Sequence, residues 1–243
     1  MQRLQARLGA AMARFLTQKL GEQPVLPVDT NLLRSLLRPA DVILVEGNLR
    51  ISAAIKYLTQ STWSHAVLYA GPGAGPESCI EADVVEGVHW LALEALHPYH
   101  LRICRPIGLS DAECRAIVAH AQDRIGWQYD LRYVADLARY LFPLPVPRRW
   151  RRQAIGFGAA DPSRAICSTL IANAFEAIGY PILPEIDRQS APSRRAHRRA
   201  REIYHIHRNG LFVPRDFDVS PFFEIIKPDM PAAFDHHRLI WRE

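Results

Sequence analysis

Short apolar runs following closely on one another in the first half of the chain constrain its fold most. "ADVILVEG", "WSHAVLYAG", "CIEADVVEGVHWLALEAL" and "HLRICRPIGL" all lie within residues 40–109. Asp41 to Val45 reads as a strand after the break at Pro39. "WSHAVLYAG" reads as a second, with His65, Val67 and Tyr69 on one face and Ala66 and Leu68 on the other. Beyond the turn "GPGAGPES" come a strand, a turn and a strand, and "HLRICRPIGL" alternates once more. One short helix, carried by Ile51, Ile55 and Leu58, separates the first two runs. Strands joined mainly by turns indicate an antiparallel sheet or small open barrel, hence an α+β fold. A βαβ nucleotide-binding fold is disfavoured, because "GPGAG" leads into proline and strand rather than into a helix.

The rest of the chain supplies helices. Ser110 and Glu113 match a capping box that opens a helix running to about Arg124. "YDLRYVADLARYLF" reads as another, ended by Pro143. In "RAICSTLIANAFEAIGYP", Leu170, Ile171, Ala174, Phe175 and Ile178 recur at helical spacing. The polar connection from Pro184 to about Arg199 is long for a compact domain. The ending "GLFVPRDFDVSPFFEIIKP" mixes turn residues with a final strand, Phe222 to Ile226. At the other end, Leu4, Leu8, Met12, Phe15, Leu16 and Leu20 mark one stripe of a basic amphipathic helix. Arg3, Arg7, Arg14 and Lys19 interrupt its apolar runs, so it reads neither as a secretory signal nor as a membrane span. The expected organisation is an N-terminal helix and linker over residues 1–28, then one domain over residues 29–243.

Composition matters chiefly through charge. The net charge of +5 is uneven: Arg148 to Arg152 holds four arginines, and Arg188 to Arg201 holds six, neither with an acid. Without those ten, twenty basic residues face twenty-five acidic ones, a balance of −5. Such segments suit phosphates or anionic lipid, and equally suit solvated loops. Trp150, between arginine pairs, could stack on a base, but no nucleic-acid motif accompanies it, so nucleic acid is not an expected partner. An anionic membrane surface meeting residues 1–20 and Arg148 to Arg152 is. The cysteines Cys79, Cys104, Cys114 and Cys167 form no C-x-x-C pair. His205-x-His207 and His236-His237 lack ligands at zinc spacing, so no metal and no cofactor is expected. A cytoplasmic setting, peripheral to the membrane, fits free thiols and this charge.

Cys167 stands where its helix begins and points to the apolar side. It reads either as a small core hydrophobe or as a nucleophile whose thiolate the helix start favours. A nucleophilic thiol needs a base, and the base needs an orienting group. His65 lies in a strand, and Glu81 lies on the next one, within hydrogen-bond reach if the strands pair.

The segments "ADVILVEGNLRISAAIKYLTQSTWSHAVLYAG", "CIEADVVEGV", "GWQYD" and "ICSTLIANAFEAIGYP" resemble the circularly permuted, NlpC-like branch of the papain-like cysteine hydrolases. The likeness is strongest to its YiiX/YebB-type amidases, and "FVPRDFDVSPFF" is also similar. It covers about residues 37–227. The resemblance implies a permuted papain-like fold, with the nucleophile helix packed against the sheet and the histidine preceding the cysteine. It implies Cys167 as nucleophile, His65 as general base and Glu81 as the residue orienting the imidazole. Tyr129, Tyr180 and Ser64 match positions near the family's site and become candidates for oxyanion or substrate contacts. The activity so implied is cleavage of peptide or amino-acid amides through a thioester. Lecithin retinol acyltransferase-like relatives share the permuted order, so a lipid-linked acyl substrate is the alternative.

Overall fold

The computed structural model describes residues 18–21, 29–83, 86–128, 166–187, 203–206 and 212–227. The expected turn-linked strands are β1 (Val42–Glu46), β2 (His65–Tyr69), β3 (Cys79–Asp83), β4 (Gly87–Leu91) and β5 (His100–Pro106). Two further strands, β6 (Pro184–Asp187) and β7 (Ile203–Ile206), pair with each other, and β8 (Phe223–Ile226) is the last among the described residues. The main sheet has the order β4-β3-β2-β1-β5-β8, with every neighbouring pair antiparallel. This is an α+β molecule built on one open six-stranded antiparallel sheet.

Among the described residues five helices accompany the sheet: α1 (Thr30–Leu36), α2 (Arg50–Thr59), α3 (Asp111–Gln122), α4 (Ile166–Ala177) and α5 (Pro214–Val219). One face of the sheet, with Val42, Leu44, Ala66, Leu68, Ile80 and Cys104, shares a core with Ile117 and Val118 of α3 and with Leu170, Ile171 and Phe175 of α4. The opposite face, with Ile43, Val45, Val67, Tyr69 and Ile103, packs on Leu33 of α1 and on Leu93 and Leu96. A strand covered on both faces has no polar side, which explains the unbroken "VILV" of β1. At the end of α4 the rings of Phe175 and Phe223 meet edge-on, 5.2 Å apart, and Phe217 of α5 joins them.

Several elements differ from the sequence reading. Leu93–Leu96 is a 3-10 turn rather than strand, and its i, i+3 geometry drops both leucines into the second core. Pro214–Val219 is helical where turn residues suggested a loop. Pro214 suits a first helical position, and the Asp216 carboxylate accepts the Val213 amide at 2.8 Å. The polar connection contains β6, paired with β7 from Pro184↔Ile206 to Asp187↔Ile203. Leu20, expected on the stripe of an N-terminal helix, is not helical: Lys19 forms a β-bridge with Leu49, and the Leu20 amide donates to Asn48 O at 2.9 Å. Residues 1–17, "YDLRYVADLARYLF" from Tyr129 on, and both arginine-rich segments lie outside the described residues. Among the described residues no helix is long and apolar enough to cross a membrane.

Candidate active site

β2 starts at a tightly fixed point. The buried Ser64 hydroxyl accepts the Gly47 amide at 2.9 Å, and the Ser64 amide donates to Val45 O at 3.1 Å. A Cβ on Gly47 would come within 2.9 Å of that hydroxyl and 2.4 Å of Ser52 Oγ, so only glycine fits. Ser64 thus holds the strand that carries His65, its oxygen occupied by backbone rather than turned to a cleft. His65 itself pairs with Val45 of β1.

The β2–β3 ladder joins Leu68 to Ile80 and Tyr69 to Cys79. Beyond it, side chains bridge the strands, and His65 Nε2 lies 2.7 Å from Glu81 Oε2. Cys167 enters from the opposite partner, the first turn of α4, which packs on β2 and β3. Its thiol is buried and hydrogen-bonded to His65 and to the backbone amides of Ala66 and Ser168. With Nε2 on Glu81, Nδ1 is the nitrogen left for the thiol. The Ser168 hydroxyl donates to Phe212 O at 2.7 Å and pins the helix start. The three residues that sequence reasoning singled out for chemistry therefore stand in one contiguous row.

Electrostatics orders their protons. Burial pushes the Cys167 thiol up, but the His65 charge, its hydrogen bond and the two amides outweigh that and hold it below the ordinary thiol range. Burial likewise pushes His65 down, and Cys167 and then Glu81 overcome it, leaving the imidazole well above its usual value. Glu81, pushed up by burial and pulled down more strongly by His65 and His89, ends below the usual carboxylate range. All three directions favour a thiolate beside an imidazolium, with a carboxylate behind. The other buried thiols behave oppositely: burial pushes Cys79 and Cys104 up to about 12.

His89, which the sequence reading passed over, occupies the second oxygen of Glu81, with Nε2 3.0 Å from Oε1. The two are direct cross-strand partners on β3 and β4. Pairing Asp83 with Gly87 aligns Glu81 with His89, and that hairpin register is the signal by which it could have been found. Glu81, Asp83 and His89 also form the group, among the described residues, whose donor atoms could hold a metal ion, all lying within 4.8 Å of one another.

Tyr180 is not brought to this site. Its hydroxyl accepts the Ile107 amide at 2.8 Å and faces the carbonyls of Phe222 at 2.6 Å and Ile107 at 2.9 Å. Ile107 follows the end of β5 that pairs with Phe223, whereas His65 lies level with Val45 and Leu101 at the other end. The 12 residues of α4, about 18 Å of helix, separate Cys167 from that staple. Family position misleads here because a tyrosine closing a helix can serve the chain turn as readily as the cleft. Tyr129 lies outside the described residues, as do His207, His236 and His237.

No family model and no curated protein matches this sequence. Among solved structures it is similar to YiiX from Escherichia coli O157:H7, described as a metalloprotein and as DUF1105. The similarity has a TM-score of 0.48 at 14% identity, over 81% of this chain and 99% of that one.

Proposed function

We propose that this protein is a cysteine hydrolase that cleaves amide bonds through a thioester. The observation that carries the reading is the row Cys167–His65–Glu81, in which His65 bonds a thiol on one side and a carboxylate on the other. On this reading the sheet and α4 form a permuted papain-like domain, the histidine strand preceding the cysteine helix.

Each step has a residue to perform it. The Cys167 thiolate attacks the carbonyl carbon, and the carbonyl π electrons move to oxygen. The backbone amide of Cys167, at the start of α4, helps to stabilise that oxyanion. The tetrahedral centre collapses to a thioester, and the His65 imidazolium gives its proton to the departing amine. Water then enters, neutral His65 takes its proton, and hydroxide attacks the thioester to release the carboxylic acid and restore the thiolate. Glu81 keeps the ring oriented and its cationic form favoured throughout.

The test is the rate of Cys167 alkylation by iodoacetamide against pH, read by peptide mass mapping in wild type and His65→Ala. Rapid labelling at pH 6 that slows at least tenfold in His65→Ala is the expected outcome, since each unit of thiol pKa is a factor of about ten. Equal, slow labelling in both proteins would sink the proposal.

A further inference from the structure

We propose that a cavity at the Asp41 end of the sheet binds a small, hydroxyl-bearing phosphate monoester, held by Arg38, Arg105 and Arg115. The site goes beyond the hydrolase reading and stands apart from it in space. Asp41 and Val45, the partner of His65, are separated by four residues, about 13 Å of extended chain.

The cavity measures about 370 Å³, within the range of small-molecule pockets. Three elements meet around it. The turn between α1 and β1 supplies Arg38 and Pro39, the end of β5 supplies Arg105 and Pro106, and the start of α3 supplies Asp111 and Arg115.

Their guanidinium groups have donors to spare. Arg105 gives Nε and Nη2 to Asp41 and Nη2 also to Leu36 O at 2.5 Å, which fixes the plane of the group. Its Nη1, with two N–H groups, makes no hydrogen bond among the described residues. Arg38 and Arg115 are exposed, and among the described residues neither side chain forms a hydrogen bond or an ion pair. Arg115 follows Asp111 by one helical turn, yet the two are not joined. Arg34, Arg102, Arg124 and Arg215, by contrast, each reach a carboxylate or carbonyl oxygen. The uncommitted arginines thus gather at one cavity.

Charge and shape name the ligand class. Three arginines face two aspartates, and Arg105 is matched to Asp41, so Arg38 and Arg115 outnumber Asp111. A phosphate monoester presents three terminal oxygens, enough for donors arriving from separate elements, whereas one arginine already fills a planar carboxylate. Asp111 disfavours a bare anion but accepts a hydroxyl. Pro39, Pro106 and Leu109 offer the carbon body an apolar wall.

Isothermal titration of the full chain with glycerol phosphate, in chloride buffer at fixed ionic strength, tests this. Wild type should bind one equivalent saturably, and more tightly than it binds inorganic phosphate. Arg38→Gln and Arg115→Gln should each weaken binding about tenfold, as loss of a charge-assisted hydrogen bond implies. Both replaced side chains are exposed, so the unfolding midpoint without ligand should not move. Arg34→Gln, outside the cavity, should leave the affinity unchanged. An absence of saturable heat in wild type overturns the proposal. Equal weakening in all three variants also overturns it, in favour of general surface charge. Inorganic phosphate binding as tightly as glycerol phosphate would remove the monoester, and a response to phosphatidic acid vesicles alone would replace it with a membrane headgroup.

Discussion

In water at neutral pH an isolated cysteine, with a pKa of about 8.5, and an isolated histidine, at about 6.5, are chiefly thiol and neutral imidazole. At Cys167 and His65 burial strengthens that preference, yet mutual attraction works against it, lowering the thiol and raising the imidazole. The signs fix a pH profile. Alkylation needs only the thiolate, so it rises through the lowered thiol pKa and stays on a plateau. Hydrolysis also needs the imidazolium, so it falls again as pH rises through the elevated His65 pKa. A bell for hydrolysis beside a sigmoid for alkylation, with a shared acid limb, is the expected pair of curves in stopped assays over pH 4 to 10. In Glu81→Gln the alkaline limb should shift down, because the neutral amide no longer favours the cation. Much of this row was legible in the sequence. Cys167 marks a helix start, while His65 and Glu81 interrupt otherwise apolar strands. His89 was not, because "GVHWL" looks like any alternating strand until its register against "CIEAD" is known.

Whole elements were legible where local pattern and tertiary need agree. β1, β2, β3, α3 and α4 follow from apolar runs and a capping box, which the structure closes with Glu113 Oε2 accepting the Ser110 amide at 2.8 Å. β6 and β7 were not, because residues 188–202 intervene and neither four-residue strand carries a periodic signal of its own. α5 was hidden because Pro and Asp, strong loop formers, are equally good at a first helical turn. Tyr180 illustrates the same limit for a single side chain fixing an element. Its hydroxyl ties the chain after α4 to the ends of β5 and β8. Tyr180→Phe should therefore cost about 1 kcal/mol in urea unfolding while leaving Cys167 alkylation unchanged. A loss of alkylation in that variant would restore Tyr180 to the site.

Across the molecule the two ends of the sheet have different duties. The His65 end carries the Cys167–His65–Glu81 row. The other end is held by Asp41, fully buried, whose carboxylate takes Arg105 Nε at 2.9 Å, Arg105 Nη2 at 2.7 Å and the Arg38 amide at 2.8 Å. Burial still leaves the Asp41 carboxyl above its usual range despite these partners, so the pair is a poor source of net stability. Breaking it is another matter. Arg105→Ala would strand a buried carboxylate, and chemical denaturation should show a loss of about 3–5 kcal/mol. A loss below about 1 kcal/mol would mean that water reaches Asp41.

The place of β8 beside β5 also sets a timetable for synthesis. The five strands from Val42 to Pro106 can pair as they leave the ribosome, and His65 and Glu81 are assembled with them. Cys167 emerges only with α4, and the sheet gains β8 only after residues 107–222 have been made. A nascent chain therefore carries its imidazole and carboxylate long before its thiol, and its outer edge at β5 stays open in the meantime. The Cys167–His65–Glu81 row is thus completed late, between the fifth strand and β8.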